Sequence, residues 1–165
     1  MPLSPAITKV EQLAETSAVA RLLAWNRDAV ESAKFDRDEL SITIQRSCIR
    51  EACAILRDDS ALKFSFLSDV TCVDWYPSEP RFEMVYHLLS MLRRERLRLK
   101  VQLSSSDAIV DTVTSLWPAA NFFEREIFDL FGVRFYDHPY LRRILMPEDW
   151  EGYPLRKDYP VEGFR

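Results

Sequence analysis

Arg96-Leu97-Arg98-Leu99-Lys100-Val101-Gln102-Leu103 decides the fold. Leu97, Leu99, Val101 and Leu103 fall on one face and the four polar residues on the other, the period of two that a half-buried strand requires. The polar face has two readings: a basic strip for an acidic partner or nucleic acid, or a plain solvated face. No aromatic residue interleaves the basic ones, as a base-stacking platform needs, which favours the solvated face. Toward the N-terminus, residues 82–91 read as a strand buried on both faces around 86–89. A turn, Tyr76-Pro77-Ser78-Glu79-Pro80, separates it from a strongly apolar strand at 64–73. Further back, Leu40, Ile42 and Ile44 alternate with Ser41 and Thr43. The polar turn Asp36-Arg37-Asp38 joins this strand to another at 30–35.

Helical signals flank these strands. Thr8-Lys9-Val10-Glu11 has capping-box spacing, predicting a helix with Thr8 as N-cap that runs to about residue 23. Ser47 is predicted to cap a helix to Arg57, with Ile49, Cys53 and Leu56 on one stripe and Asp58-Asp59-Ser60 as its stop. Residues 104–107 are a loop. Pro118 suits a first helical position, and the stripe Ala120, Phe123, Ile127, Leu130 carries a helix to Phe131, with Gly132 as the residue that ends it. The order αββαβββα implies an α+β sandwich, helices packed on a mainly antiparallel sheet. Residues 1–136 are expected to form this domain, and the proline-rich residues 137–165 an extended, partner-binding C-terminal tail.

A chain of 165 residues, 47% apolar, suits one domain with a sizeable core. Net charge −4 and a pI of 5.3 argue against a general nucleic-acid binder. No apolar run approaches the ~18–20 residues that cross a bilayer. The opening Met-Pro-Leu-Ser-Pro lacks the basic and apolar regions of a secretory signal, so none is expected. Cys48, Cys53 and Cys72 are odd in number and form no C-x-x-C pair, which points to buried reduced thiols rather than a cluster or zinc site. Three glycines cannot build the Gly-rich phosphate loops of nucleotide-binding proteins.

The segment from Trp117 to Pro160 is different in kind. It holds 11 of the chain's 20 aromatic residues and six Arg or Lys, the composition of binding surfaces. Arg125 and Asp129 are an i,i+4 pair that can bridge. Glu126 lies near the apolar stripe and is expected to be partly buried, with a donor among Arg134, His138, Arg142, Arg143 and Arg156.

These residues carry a resemblance. Glu124-Arg125-Glu126-x-x-Asp129-Leu130-Phe131-Gly132, then His138-Pro139, Leu141-Arg142-Arg143-Ile144-Leu145, and Pro154-Leu155-Arg156-Lys157-Asp158-Tyr159-Pro160 closely resemble the 30-kDa subunit of respiratory NADH:quinone oxidoreductase, complex I. Weaker similarity extends back through Phe66-Leu67-Ser68-Asp69, Val73-Asp74 and Tyr86-His87-Leu88-Leu89-Ser90. Two departures stand out: Asn121-Phe122 where the family usually has Asn-Trp, and Asp137-His138-Pro139 where it has Gly-His-Pro. Ending at Arg165, the chain looks like the form not fused to the following large subunit.

The resemblance implies a structural subunit of the peripheral arm with no flavin, iron–sulfur cluster or quinone ligand of its own and no other cofactor. It would brace the 49-kDa-type large subunit and the adjacent cluster-bearing subunit, supporting electron transfer from NADH through FMN and clusters held elsewhere to quinone. It would lie on the cytoplasmic side of the bacterial inner membrane, attached only through the complex and without nucleic acid. Interface candidates are Glu124, Arg125, Glu126, Asp129, His138, Arg142, Arg143, Trp150, Arg156, Lys157 and Asp158. Related subunits occur in membrane-bound hydrogenases and ferredoxin-dependent quinone reductases, so the electron donor stays open, with the full 154–160 run favouring NADH. One rival is an acid–base enzyme using Glu124, Glu126, Asp129 and His138. It suffers because Glu124 and Glu126 point to opposite sides of a helix. A nucleic-acid module around 93–100 is disfavoured by the acidic total.

Overall fold

The structure, a computed structural model, describes residues 6–163; the N-terminal pentapeptide read for a secretory signal and residues 164–165 lie outside it. Helices α1 (Val10–Leu13) and α2 (Ser17–Trp25) precede strands β1 (Val30–Asp36) and β2 (Glu39–Ile44), helix α3 (Ile49–Asp58), and strands β3 (Phe66–Asp74), β4 (Phe82–Ser90), β5 (Glu95–Leu103) and β6 (Ile109–Asp111). Helix α4 (Ala120–Phe131) and strand β7 (Arg134–Tyr136) complete the series. Five strands form one sheet in the order β1-β2-β5-β4-β3. All neighbours are antiparallel except β2 and β5.

Register explains the core. Ile42, Leu99, Tyr86 and Val70 stand side by side across four strands and are at most 3% exposed. The next row, Leu40, Leu97, Leu88 and Leu67, repeats the pattern. Against this face pack Val19 and Leu22 of α2, Ile49, Cys53 and Leu56 of α3, and Ala120 and Ile127 of α4. Removing a Leu or Ile from water in such a layer stabilises by roughly 1.5–3 kcal/mol. The α+β sandwich expected from alternation is therefore the observed one.

The opposite face is polar, and its charges pair across strands. Arg98 donates to Glu39 at 2.6 Å, Lys100 to Glu83 at 2.8 Å and Gln102 to the other oxygen of Glu83 at 2.9 Å. The basic strip is thus offset by carboxylates of its own sheet, as the solvated-face reading expects. On β4 both faces are buried at Phe82 through Tyr86, earlier in the strand than its apolar residues suggested, because Lys100 and Gln102 cover Glu83.

Three local expectations need correction. The first helix is two helices: α1 stops at Leu13 and α2 restarts at Ser17, and α1 has Lys9 rather than Thr8 as its N-cap, with no side-chain cap. Ser47 likewise caps nothing; it sits inside a 3-10 turn that leads into α3. The stop after α3 holds, and Asp59 does further work there by accepting the N–H groups of Ala61 and Leu62 and the Arg21 guanidinium of α2. Cys53 and Cys72 are buried and Cys48 half-buried, all as free thiols. Burial pushes the Cys72 thiol up to about 12, so it stays neutral.

Strands β6 and β7 carry no signal in the sequence. They pair in parallel, Val110 beside Phe135, on either side of α4 in the chain. This ladder sets the position of α4 and of the chain that leaves it.

Candidate functional site

Helix α4 carries two carboxylates with no exposed surface, Glu124 and Asp129. Glu124 sits on the inner stripe, four residues after Ala120 and three before Ile127. The chain leaving β6 meets it: the Val113 N–H donates to Oε1 at 2.8 Å, and the Thr112 hydroxyl donates to Oε2. Burial pushes the Glu124 carboxyl up to about 7, against the pull of these two donors. His138 Nε2 lies 3.8 Å from Glu124 Oε2, both side chains sealed from solvent. The Tyr140 N–H donates to His138 Nδ1 at 3.0 Å, so the neutral ring carries its proton on Nε2, facing Glu124. Burial, opposed by the Asn121 backbone and assisted by Arg125, holds His138 below its ordinary value.

Asp129 is equally buried and differently supplied. Its Oδ2 accepts the N–H groups of three consecutive residues, Ile144, Leu145 and Met146, at 2.8–3.0 Å. Its Oδ1 accepts from Arg143 at 2.6 Å. Burial raises this carboxyl, but the hydrogen bonds from Met146, Arg143, Leu145 and Ile144 outweigh it, and the net shift is downward. Arg143 also donates to the carbonyls of Asp129, Trp150 and Gly152. One Asp–Arg pair therefore gathers residues 143–152 onto the helix.

A second clamp closes the far end. Arg81, buried at the start of β4, makes paired hydrogen bonds to Asp74 at 2.8 and 2.9 Å and to Asp158 at 2.7 and 2.9 Å. Its guanidinium lies 5.0 and 4.9 Å from the Tyr76 and Phe82 rings. The Lys157 N–H reaches Asp74 at 2.8 Å. Arg156 lies 4.4 Å from the Tyr153 ring and donates to the Phe131 carbonyl. Arg156 and Tyr153 lie close over Gly132, whose φ of +75° ends α4. A Cβ there would meet Arg156 Nη2 and the Tyr153 ring at 2.6 Å, so the glycine answers both backbone and packing.

Several of the eleven interface candidates change character here. Asp129, Arg143, Arg156 and Asp158 are engaged within the chain, and His138 is buried against Glu124. Lys157 contributes its backbone N–H to Asp74. Arg125 does not bridge to Asp129; it donates to the carbonyls of Arg142 and Arg143, because Asp129 is already filled. Glu126 is exposed on α4 rather than partly buried as expected, and makes none of the expected ion pairs with Arg134, His138, Arg142, Arg143 or Arg156; Glu124 occupies the stripe instead, as its spacing from Ala120 and Ile127 already signals. Arg142 and Trp150 remain exposed. Arg81 and Asp74, which hold the second clamp, are not legible in sequence because the pairing spans 77 residues to Asp158. The rings that flank Arg81 are visible there only as neighbours of a turn.

Fold and site define a class: a small α+β scaffold domain on which buried carboxylates fasten an irregular C-terminal segment. Residues 42–165 match the family of the respiratory-chain NADH dehydrogenase 30-kDa subunit, and the chain belongs to that family. Curated relatives include an NADH-quinone oxidoreductase subunit of Roseiflexus castenholzii, 48% identical over 88% of this chain and 83% of that protein. The corresponding protein of Citrifermentans bemidjiense is 47% identical over 88% and 89%. Among solved structures, a trypsin-resistant fragment of Nqo5 aligns with TM-score 0.63 and 31% identity over 75% of this chain and 99% of the fragment. A chain of the archaeal membrane-bound sulfane sulfur reductase aligns with TM-score 0.72 and 28% identity over 87% and 84%. As a member of this family the chain is a subunit of an oxidoreductase complex. Among the described residues, no helix is long and apolar enough to cross a membrane.

Proposed function

We propose that the chain is a structural subunit of the peripheral arm of a proton-pumping NADH:quinone oxidoreductase, without an active site of its own. It braces the 49-kDa-type subunit and the adjacent cluster-bearing subunit. Electrons pass from NADH through FMN and iron–sulfur clusters held by other subunits to quinone. The observation that carries this reading is the fate of the α4 carboxylates. Both are shut away from solvent, and Asp129 and Arg143 are engaged in fastening residues 143–152. Groups that a rival acid–base mechanism would need at a substrate thus serve to position a segment. Rigid placement matters to electron transfer because the rate falls steeply with the distance between centres. The subunit would lie on the cytoplasmic side of the inner membrane, held there by its partners, with residues 137–163 as its main partner-binding segment.

A second reading draws on the likeness to the sulfane sulfur reductase chain: the same scaffold in a membrane complex with another electron donor. The 48% identity to an NADH-quinone oxidoreductase subunit favours NADH. Tagging the native protein, solubilising membranes gently and assaying what co-purifies decides between them. Recovery of a flavin- and iron–sulfur-containing assembly that reduces quinone with NADH is expected. An assembly inactive with NADH but active with hydrogen or ferredoxin would support the second reading. A lone soluble monomer would overturn both.

A further inference from the structure

Once the internal clamps are accounted for, two guanidinium groups where the C-terminal segment meets α4, those of Arg125 on the helix and Arg142 on the segment, are left without a carboxylate. Arg125 Nε and Nη2 donate only to main-chain carbonyls, those of Arg142 and Arg143, each at 3.2 Å. Arg142 is exposed, and its guanidinium lies 4.2 Å from the centroid of the Tyr140 ring; that of Arg125 lies 5.8 Å from the same ring. Among the described residues, no carboxylate comes within ion-pair distance of either. Asp137 is turned to Arg50 instead, and Asp129 to Arg143. Tyr140 is 53% exposed, and Phe122, one turn before Arg125 on α4, is 59% exposed.

Two cations at one exposed ring repel each other, and the flanking carbonyls and the ring face offset that repulsion only in part. A carboxylate would complete the set, because the planar fork of Arg matches it with two parallel hydrogen bonds. The chain as a whole is acidic, so this is a local positive spot on a negative molecule, which selects an acidic partner over nucleic acid. The ring and the neighbouring Phe122 supply rigid apolar area of the kind that anchors interfaces.

We propose that Arg142, Tyr140, Arg125 and Phe122 form a ledge that receives an acidic segment of a neighbouring subunit, its carboxylate on Arg142 and an apolar side chain against Phe122. This rests on the peripheral-arm reading and narrows it, placing the contact on Arg142 rather than on the internally bound Arg143. Ile144 and Leu145, 36% and 60% exposed, extend the apolar side.

The test uses the tagged subunit in its native membranes. Arg142→Glu is expected to lower the fraction recovered in the assembly by about tenfold, the effect of roughly 1.4 kcal/mol, while the cellular level of the subunit stays unchanged. Because loss of the subunit itself would mimic this, a second measurement replaces Phe122 with photoreactive benzoylphenylalanine and maps the adduct in the solubilised assembly. An adduct on another subunit, within a few residues of an Asp or Glu, is expected. Assembly of Arg142→Glu at the wild-type level overturns the ledge, as does an adduct on a second copy of this chain, on lipid or on a peptide without acidic residues. Failure of the wild-type tag to recover any assembly overturns the peripheral-arm reading, and the ledge with it.

Discussion

The five-stranded sheet and the segment 137–163 meet the same requirement, that buried backbone polar groups find partners, by opposite means. In the sheet, strands satisfy one another over long ladders, and side chains are left to build the core. In the segment no regular element forms, and side chains of the domain satisfy the backbone directly. Asp129 takes three successive N–H groups and Asp74 takes that of Lys157, while Arg143, within the segment itself, donates to the carbonyls of Trp150 and Gly152. The lesson is one of vulnerability. A sheet distributes its hydrogen bonds over many residues, whereas the segment concentrates them on a few charged groups, each of which holds several others.

Breaking that concentration should give the largest effect. Asp129→Ala leaves Arg143 and three N–H groups without their acceptor, so a loss of about 3–5 kcal/mol is expected in urea unfolding. Hydrogen exchange should quicken first at 143–152 while β4 and β5 stay protected. Equal acceleration in the sheet would show that the two regions are one cooperative unit.

Next comes pH. The Glu124 carboxyl stands above its ordinary 4.5, at about 7, so its protonated form favours the folded chain. That contribution is complete below about pH 4.5 and is lost as pH rises toward 7, at most roughly 3 kcal/mol. Asp129 is held below its ordinary 3.8, so its contribution is present above that range and is lost as pH falls. Glu124→Gln keeps an acceptor for Val113 and should flatten the stability profile between about pH 5 and 8, stabilising the chain at the alkaline end. An unchanged profile would mean that Glu124 is ionised throughout.

Gly132→Ala ranks third. Its Cβ collides with Arg156 and Tyr153 at a positive φ, and a loss of about 1–3 kcal/mol is expected, readable as a lower melting temperature with faster exchange at 153–158. The smallest effect runs the other way. Asp137 has φ +59°, the left-handed conformation that suits the glycine its family usually has at this point. Asp137→Gly should be neutral to about 1 kcal/mol stabilising, less the long 3.7 Å contact with Arg50, measured by thermal melting.

What the sequence makes legible follows the same division. Alternation at 96–103 and 40–44 locates strands whose side chains answer to a face of a sheet, and the glycine after Phe131 ends a helix as its geometry requires. Strands β6 and β7 escape because three residues carry no period and their pairing is non-local. The clamps escape for a related reason. Glu124 and Asp129 have helical spacing that can be read, but the partners Thr112, Arg143 and the 144–146 backbone are fixed by where the chain returns. Arg81 with Asp158 lies beyond any local pattern. The resemblance points to the segment, and the structure separates the residues that fasten it from those left open.

The parallel pairing of β2 with β5 has a kinetic consequence. Strands β3, β4 and β5 are joined by short connections and can zip as a meander, and β1 with β2 closes as a hairpin. Ile42 meets Leu99 only when these two pieces find each other across the intervening chain. Such a contact incurs its loop-closure entropy before burial returns any stability. The slow event in folding should then be the docking of hairpin on meander, with α3 carried between them, and the β2–β5 seam the place where the chain commits to its native form.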